Sequence, residues 1–190
     1  MKRVFQTILV FAILAAMAVA AVWLEVGNET VISGNPVVVD GDSLEINRER
    51  LRLWGIDAPE FNQMCEREGA RWKCGRESRL ALRRLVRSGT VACRAIDIDK
   101  YDRWLVECEV DGRSINEAMV GQGWALAYGG YYDVEESARK LEIGIWSGGF
   151  ERPKQWRDAQ RGDLAAGPVS SFARTAWARL KRLAKWASGL

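Results

Sequence analysis

The sequence predicts an α+β domain, mainly β, with an antiparallel sheet and helices interleaved late in the chain. Three observations carry that prediction. Leu44 and Ile46, then Leu51 and Leu53, alternate with polar residues, which is half-buried strand patterning. Leu80, Leu82, Leu85 and Val86 recur near helical spacing with basic residues between them. Gly, Pro, Asn and Asp clusters break the chain between these segments. At 190 residues there is room for one ordinary domain plus terminal extensions.

The first element is an apolar run from Thr7 to Leu24, preceded by Lys2 and Arg3 and followed by Glu25. It falls between a secretory h-region of about 7–15 residues and a membrane span of about 20. Ala18-Val19-Ala20 offers a cleavage site, so residues 1–24 are read as a signal peptide or a membrane anchor. A buried core helix is the alternative, but nothing polar interrupts the run to give it a solvent face. Either favoured reading puts the body outside the cytoplasm, anchored in an inner membrane and facing the periplasm or exterior, or secreted. Residues 25–36, polar with Gly27, Gly34 and Pro36, read as a linker.

Residues 37–150 form the predicted domain. Val37-Val38-Val39 opens a strand that ends at the Asp40-Gly41-Asp42 turn. Two further strands follow, separated by a turn near Asn47 to Glu49, with Arg50 and Arg52 opposite the leucines. Pro59 stops that region just after Asp57. A helix is expected over Gly75 to Ser88, with Gly89 as its C-cap. A hairpin over 91–110 turns near Asp99 to Asp102. Short helices are expected over Ser114 to Gln122, with Gly123 just past the end, and over Val134 to Ile143, closing before Gly144.

Pairing hairpin positions whose numbers sum to 201 sets Val91 opposite Val110, Cys93 opposite Cys108 and Ala95 opposite Val106. Directly opposed cysteines can bridge. The prediction is therefore two disulfides, Cys65–Cys74 and Cys93–Cys108, among the three connectivities four cysteines allow. A zinc site competes weakly, since no CxxC spacing occurs and the chain has no histidine. Disulfides accord with an oxidising compartment.

Residues 151–167 read as a linker, and 168–190 as a basic amphipathic helix. At about 100° per residue, Phe172, Ala176, Leu180, Leu183, Ala187 and Leu190 share one side, and Arg174, Lys181, Arg182 and Lys185 the other. Trp177 and Trp186 suit a membrane interface; packing on its own domain is the alternative, and a nucleic-acid arm comes third. Subtracting the two basic residues of the N-terminus and the five of this tail from the net charge of +3 leaves about −4 on the body. Any attraction of phosphate by the body must therefore be local.

Five charged residues stand out in short apolar segments: Asp42, Arg52, Asp57, Glu60 and Arg103. The absence of histidine argues against serine-triad and zinc-protease chemistry and leaves acid–base work to carboxylates, Lys, Tyr or Cys. Carboxylates beside arginines, with oxygen donors for a hard cation, are what phosphate-ester chemistry needs.

Val39-Asp40-Gly41-Asp42-Ser43 and Leu51-Arg52-Leu53-Trp54-Gly55-Ile56-Asp57-Ala58-Pro59-Glu60 resemble the staphylococcal (thermo)nuclease family. So do Asp99-Lys100-Tyr101-Asp102-Arg103, Ile115 to Gly123, and Gly144-Ile145-Trp146-Ser147, in order over roughly residues 37–150. The resemblance implies a five-stranded OB-type barrel with three helices. It further implies a calcium-dependent phosphodiesterase acting on DNA and RNA, favouring single strands, and expected to be a monomer. By position, Asp42 and Asp57 with the carbonyl of Ala58 would hold Ca2+. Arg52 and Arg103 would hold the scissile phosphate, and Glu60 would serve as general base. Lys100 and Tyr101 match a pair that contacts a neighbouring phosphate. Tyr128, with Tyr131 and Tyr132 as alternatives, is the candidate for stacking a base.

Elementary chemistry agrees with these roles. Calcium takes several oxygen ligands, and guanidinium forks hold two phosphate oxygens at once. Asp102 stands where relatives often have glycine, and its charge is expected to compete with phosphate for Arg103. Taken singly, each residue has a plainer explanation, such as a turn, a cap or a solvated ion pair. The rival function is a non-catalytic OB module that binds nucleic acid or another polyanion.

Overall fold

The computed structural model describes the backbone of residues 2–26 and 30–165 and the side chains of 6–20 and 30–161. The predicted 168–190 helix lies outside the described residues. The chain begins with helix α1 (Lys2–Val26), whose described side chains, residues 6–20, are all exposed. Among the described residues no helix is long and apolar enough to cross a membrane.

Strands β1 (Val31–Gly34), β2 (Val37–Asp40), β3 (Ser43–Ile46), β4 (Glu49–Leu53) and the short β5 (Ile56–Asp57) follow. A small hairpin, β6 (Cys65–Arg67) and β7 (Ala70–Trp72), leads into α2 (Cys74–Val86). The long hairpin is β8 (Val91–Ile98) and β9 (Trp104–Val110), continued by β10 (Arg113–Ser114) and α3 (Ile115–Gly121). Then come β11 (Leu126–Ala127), α4 (Tyr132–Lys140), a 3-10 turn at Gly144–Ser147, and α5 (Pro153–Ala165).

The described fold is α+β and dominated by a curled seven-stranded sheet, ordered β1-β8-β9-β4-β3-β2 with β10 on β9. The sheet is mixed, which corrects the antiparallel expectation. β4 runs parallel to β9, pairing Leu51 with Trp104 and Leu53 with Val106, because the chain crosses over through α2 before returning. The strand count therefore exceeds the expected five. The three expected helices are α2, α3 and α4.

Two linker expectations are also corrected. β1 occupies part of 25–36 and pairs with β8, Val31 opposite Arg94 and Gly34 opposite Val91. Residues 153–165 form α5 rather than a linker. Pro153 suits a first helical position, where its missing N–H costs nothing.

Register places the apolar sides inward. Leu44 pairs with Leu51 across β3 and β4, and Val91, Cys93 and Ala95 pair with Val110, Cys108 and Val106 as the numbering rule predicts. Leu44, Ile46, Leu51, Leu53, Val91 and Val106 are fully buried against Leu82 of α2 and Ile115 and Met119 of α3. Each such side chain contributes about 1.5–3 kcal/mol on burial. The turn between β3 and β4 puts Asn47 and Arg48 at φ 53° and 71°, the left-handed pair a tight hairpin needs.

Both disulfides form as predicted, Cys65–Cys74 and Cys93–Cys108. α3 is capped by Ser114, whose hydroxyl accepts from the Glu117 N–H at 3.1 Å. Gly123, at φ +72°, ends it. A side chain on Gly123 would also meet the backbone carbonyl of Ile143. Gly89 is not the cap of α2. That helix closes at Arg87 in ordinary right-handed geometry, and Gly89 serves a close approach to the Asp111 carboxylate.

Candidate active site

The β2–β3 turn delivers Asp42, the opposing β4 delivers Arg52, and β5 with its Pro59 turn delivers Asp57, Ala58 and Glu60. Ser43 pairs with Arg52 in the β3–β4 register, and the Leu53 N–H donates to the Asp42 carbonyl at 2.9 Å. Arg52 therefore emerges beside the Asp42 carboxylate. Its Nη1 lies 2.9 Å from Asp42 Oδ2 and its Nη2 2.9 Å from Asp57 Oδ1. Asp42, 5% exposed, also accepts from the Ser43 hydroxyl at Oδ1 (2.9 Å) and from the Ala58 N–H at Oδ2 (3.3 Å). Burial works against the charge on Arg52, but Asp42 and Asp57 outweigh it and hold its pKa above the usual arginine value.

A second guanidinium, not anticipated from the sequence, completes the cluster. Arg157 of α5 donates from Nη1 to Asp57 Oδ1 (2.9 Å) and Glu60 Oε1 (2.8 Å), and from Nη2 to Asp57 Oδ2 (3.1 Å). Against the opposing effect of burial, these bonds raise its pKa further. The signal that could have found it was Pro153 followed by basic residues at helical spacing.

Gln63 was also missed, and nothing in the sequence marks it. Fully buried, it accepts from the Glu60 N–H at 3.2 Å through Oε1 and donates through Nε2 to the Glu151 carbonyl at 2.6 Å. Its backbone N–H donates to the Glu60 carbonyl at 2.7 Å, and its carbonyl accepts from the Gly75 N–H at 3.3 Å. Gln63 thus fixes the loop that carries Glu60 to the start of α2. Gly75 packs so closely on Glu60 that any Cβ there would drive into the Glu60 carbonyl.

Asp40 forms the edge of this cluster. Burial pushes its carboxyl up to about 6, with the nearby charges of Asp42 and Glu60 adding to the rise, against the amides of Gly41 and Phe61 that lower it.

The β8–β9 turn supplies the opposite side. Arg103 lines the same cleft as Arg52 and Glu60, a space of about 530 Å³. Its partner is Asp99, which accepts from Nε at 2.8 Å and from Nη2 at 2.6 Å. Asp99 is pushed up by its partial burial, but the hydrogen bonds from Arg103 and the amides of Tyr101 and Arg103 outweigh this and lower its pKa. The expected competitor, Asp102, instead takes a left-handed turn conformation at φ 60°, one that favours glycine. Arg50 Nη2 donates to the carbonyls of Tyr101 (2.8 Å) and Asp102 (3.2 Å) and so anchors this turn. Lys100 and Tyr101 line the cleft, the Lys100 Nζ standing 5.1 Å from the Tyr101 ring.

Of the three tyrosine candidates, Tyr128 lines an adjoining space of about 500 Å³ with Arg52, Asp57 and Arg157. Tyr131 packs against the core, and the Tyr132 hydroxyl donates to the Tyr128 carbonyl at 2.6 Å. Tyr128 is thus the one of the three that shares a lining with Arg52 and Asp57.

Among the described residues no group of three or more His, Cys, Asp or Glu is arranged to hold a metal ion. The donor chemistry nevertheless fits a hard cation, since two carboxylates converge beside the Ala58 peptide. In this arrangement guanidinium groups satisfy those carboxylates, Arg52 both of them and Arg157 Asp57.

The staphylococcal nuclease homologue family matches residues 50–148. The chain belongs to the staphylococcal nuclease family. The matched stretch of this family member contains Arg52, Asp57, Glu60 and Arg103; it begins after Asp42 and ends before α5. The chain is 34% identical over 143 residues to the succinoglycan biosynthesis protein ExoI of Rhizobium meliloti, covering 71% of this chain and 73% of that one. It is 31% identical over 179 residues to Protein ParB of Escherichia coli, covering 82% and 93%. It is 26% identical over 144 residues to the staphylococcal-like nuclease CAN1 of Arabidopsis thaliana, covering 71% and 42%. The nuclease-named plant relatives are thus longer proteins, of which this chain spans less than half.

Proposed function

We propose that the protein is a calcium-dependent phosphodiesterase that hydrolyses DNA and RNA, favours single strands and acts outside the cytoplasm. One observation carries the reading: Arg52 held between Asp42 and Asp57, with Glu60 and Arg103 facing the same cleft. Asp42, Asp57 and the Ala58 carbonyl would hold the calcium ion, which supplies positive charge against the developing charge on phosphate. Arg52 and Arg103 grip two phosphate oxygens, Arg103 exchanging the Asp99 carboxylate for the phosphate. Glu60 accepts the proton of a water whose oxygen attacks phosphorus. As that bond forms, the opposite P–O ester bond breaks and its electron pair leaves with the sugar oxygen, which takes a proton from solvent. Lys100 and Tyr101 hold the neighbouring phosphate, and Tyr128 stacks a base. The two disulfides support an oxidising location.

A second reading, a polyanion-binding module without cleavage, is favoured by one observation: Arg157 already neutralises Asp57 and Glu60. Digestion of single-stranded DNA with calcium, and with chelator, separates the two. Calcium-dependent cleavage supports the enzyme. Calcium-insensitive binding without cleavage overturns it in favour of the module.

A further inference from the structure

We propose that the basic face of α5 is a second phosphate-binding wall of the cleft, so that a single nucleic-acid strand is gripped between α5 and the β8–β9 turn. This rests on the nucleic-acid reading of the site and extends it to a helix outside the matched family segment. Lys154, Arg157 and Arg161 stand at i, i+3 and i+7 on α5, one face of the helix. All three line the same cleft as Lys100 and Arg103. The helix reaches across to the turn, where Arg161 Nη2 stands 3.5 Å from the Tyr101 hydroxyl.

The charge balance of this cleft is lopsided. Seven cationic side chains line it against two acids, Glu60 and Asp158. Asp158 is shared between Lys154 (3.3 Å) and Arg161 (3.8 Å), and Glu60 is held by Arg157. With Asp42, Asp57 and Asp99, which pair with Arg52, Arg157 and Arg103 from behind the walls, five acids face the seven cations and a surplus of two positive charges remains. Like charges so gathered repel, and a polyanion relieves that repulsion. In a body whose formal charge is about −4, these walls are a local cationic surface.

The geometry suits a run of phosphates better than a lone one. From Lys154 to Arg161 the helix rises about 10 Å, enough to face two or more phosphates spaced about 3.4 Å or more along a strand. A space of about 530 Å³ is of the size that takes a drug-sized ligand. It has room for a nucleotide or two between its walls, the scale of a single strand. Lys154 and Arg161 keep their side chains 79% and 62% exposed, so neither is consumed by packing.

The test is binding of a fluorescent, phosphorothioate-linked deoxythymidine oligonucleotide, which resists cleavage, to the full chain with calcium across a salt series. Lys154→Gln with Arg161→Gln should weaken binding and reduce the slope of log affinity against log salt by about 1.4, since each single-strand phosphate contact contributes about 0.7. Lys154→Arg with Arg161→Lys should restore the slope, and a duplex of the same sequence should bind more weakly than the strand. If the wild type binds the strand and the Gln variant keeps both affinity and slope, the wall is refuted while the substrate reading stands. If the wild type binds no oligonucleotide, the substrate reading fails, and the wall with it. A thermal melt of the Gln variant that matches the wild type confirms that the loss is one of contacts and not of fold.

Discussion

Arg157 and Glu60, 97 positions apart, share a 2.8 Å ion pair in which the same Nη1 also holds Asp57 at 2.9 Å. One arginine thus joins the proposed base to a proposed calcium ligand. Guanidinium and a divalent cation seek the same carboxylate oxygens. Arg157→Gln should therefore strengthen calcium binding about tenfold, measured by titration calorimetry without nucleic acid. Unchanged or weaker binding would show that Arg157 and the ion do not compete.

Glu60→Gln removes the proton acceptor and keeps the shape. General-base groups contribute about 10²–10⁴ in rate. Turnover on single-stranded DNA should fall by that order while oligonucleotide affinity stays within a few-fold. Unchanged turnover would take Glu60 out of the mechanism.

Asp40 yields a pH prediction. Its folded pKa of about 6 lies above the ordinary 3.8, so the folded state holds this proton more tightly than the unfolded state. The contribution of this one group to stability is then greatest below about pH 4 and is lost as pH rises through 6. Asp40→Asn, measured in chelator, should raise stability at pH 7 by about 1 kcal/mol after allowance for partial exposure to solvent. The gain should vanish near pH 4. A gain that is equal at both pH values would mean that deprotonation of Asp40 carries no cost.

The Cys93–Cys108 bridge closes a 15-residue separation in the central hairpin. Replacing both with alanine should lower unfolding free energy by about 3 kcal/mol, read from denaturant melts. A loss under about 1 kcal/mol would mean that the strand pairing alone sets that hairpin.

Much of this architecture was legible in the chain. Strand alternation fixed the β3–β4 and β8–β9 faces, because a one-residue slip would turn every leucine outward. Opposed parity gave Cys93–Cys108, and the segment from Arg52 to Glu60 announced a carboxylate–arginine cluster. The parallel β4–β9 pairing was not legible, since nothing local in Leu51 or Val106 states which strand returns beside it. Arg157 was missed because 151–167 lacks an apolar stripe, and its helix is set largely by what its charges meet. Gln63 acts only through backbone groups that tertiary folding brings near. Asp99, rather than Asp102, holds Arg103, because the turn points the earlier carboxylate inward.

The Cys65–Cys74 bond lies at the foot of the loop that carries Glu60, tied to it through Gly75 and Gln63. Forming that bond therefore finishes the site as well as the fold. Without that bond the loop that carries Glu60 would lose one of its anchors at the start of α2. Reductant should accordingly slow cleavage before it unfolds the protein, a separation that paired activity and melting curves can read.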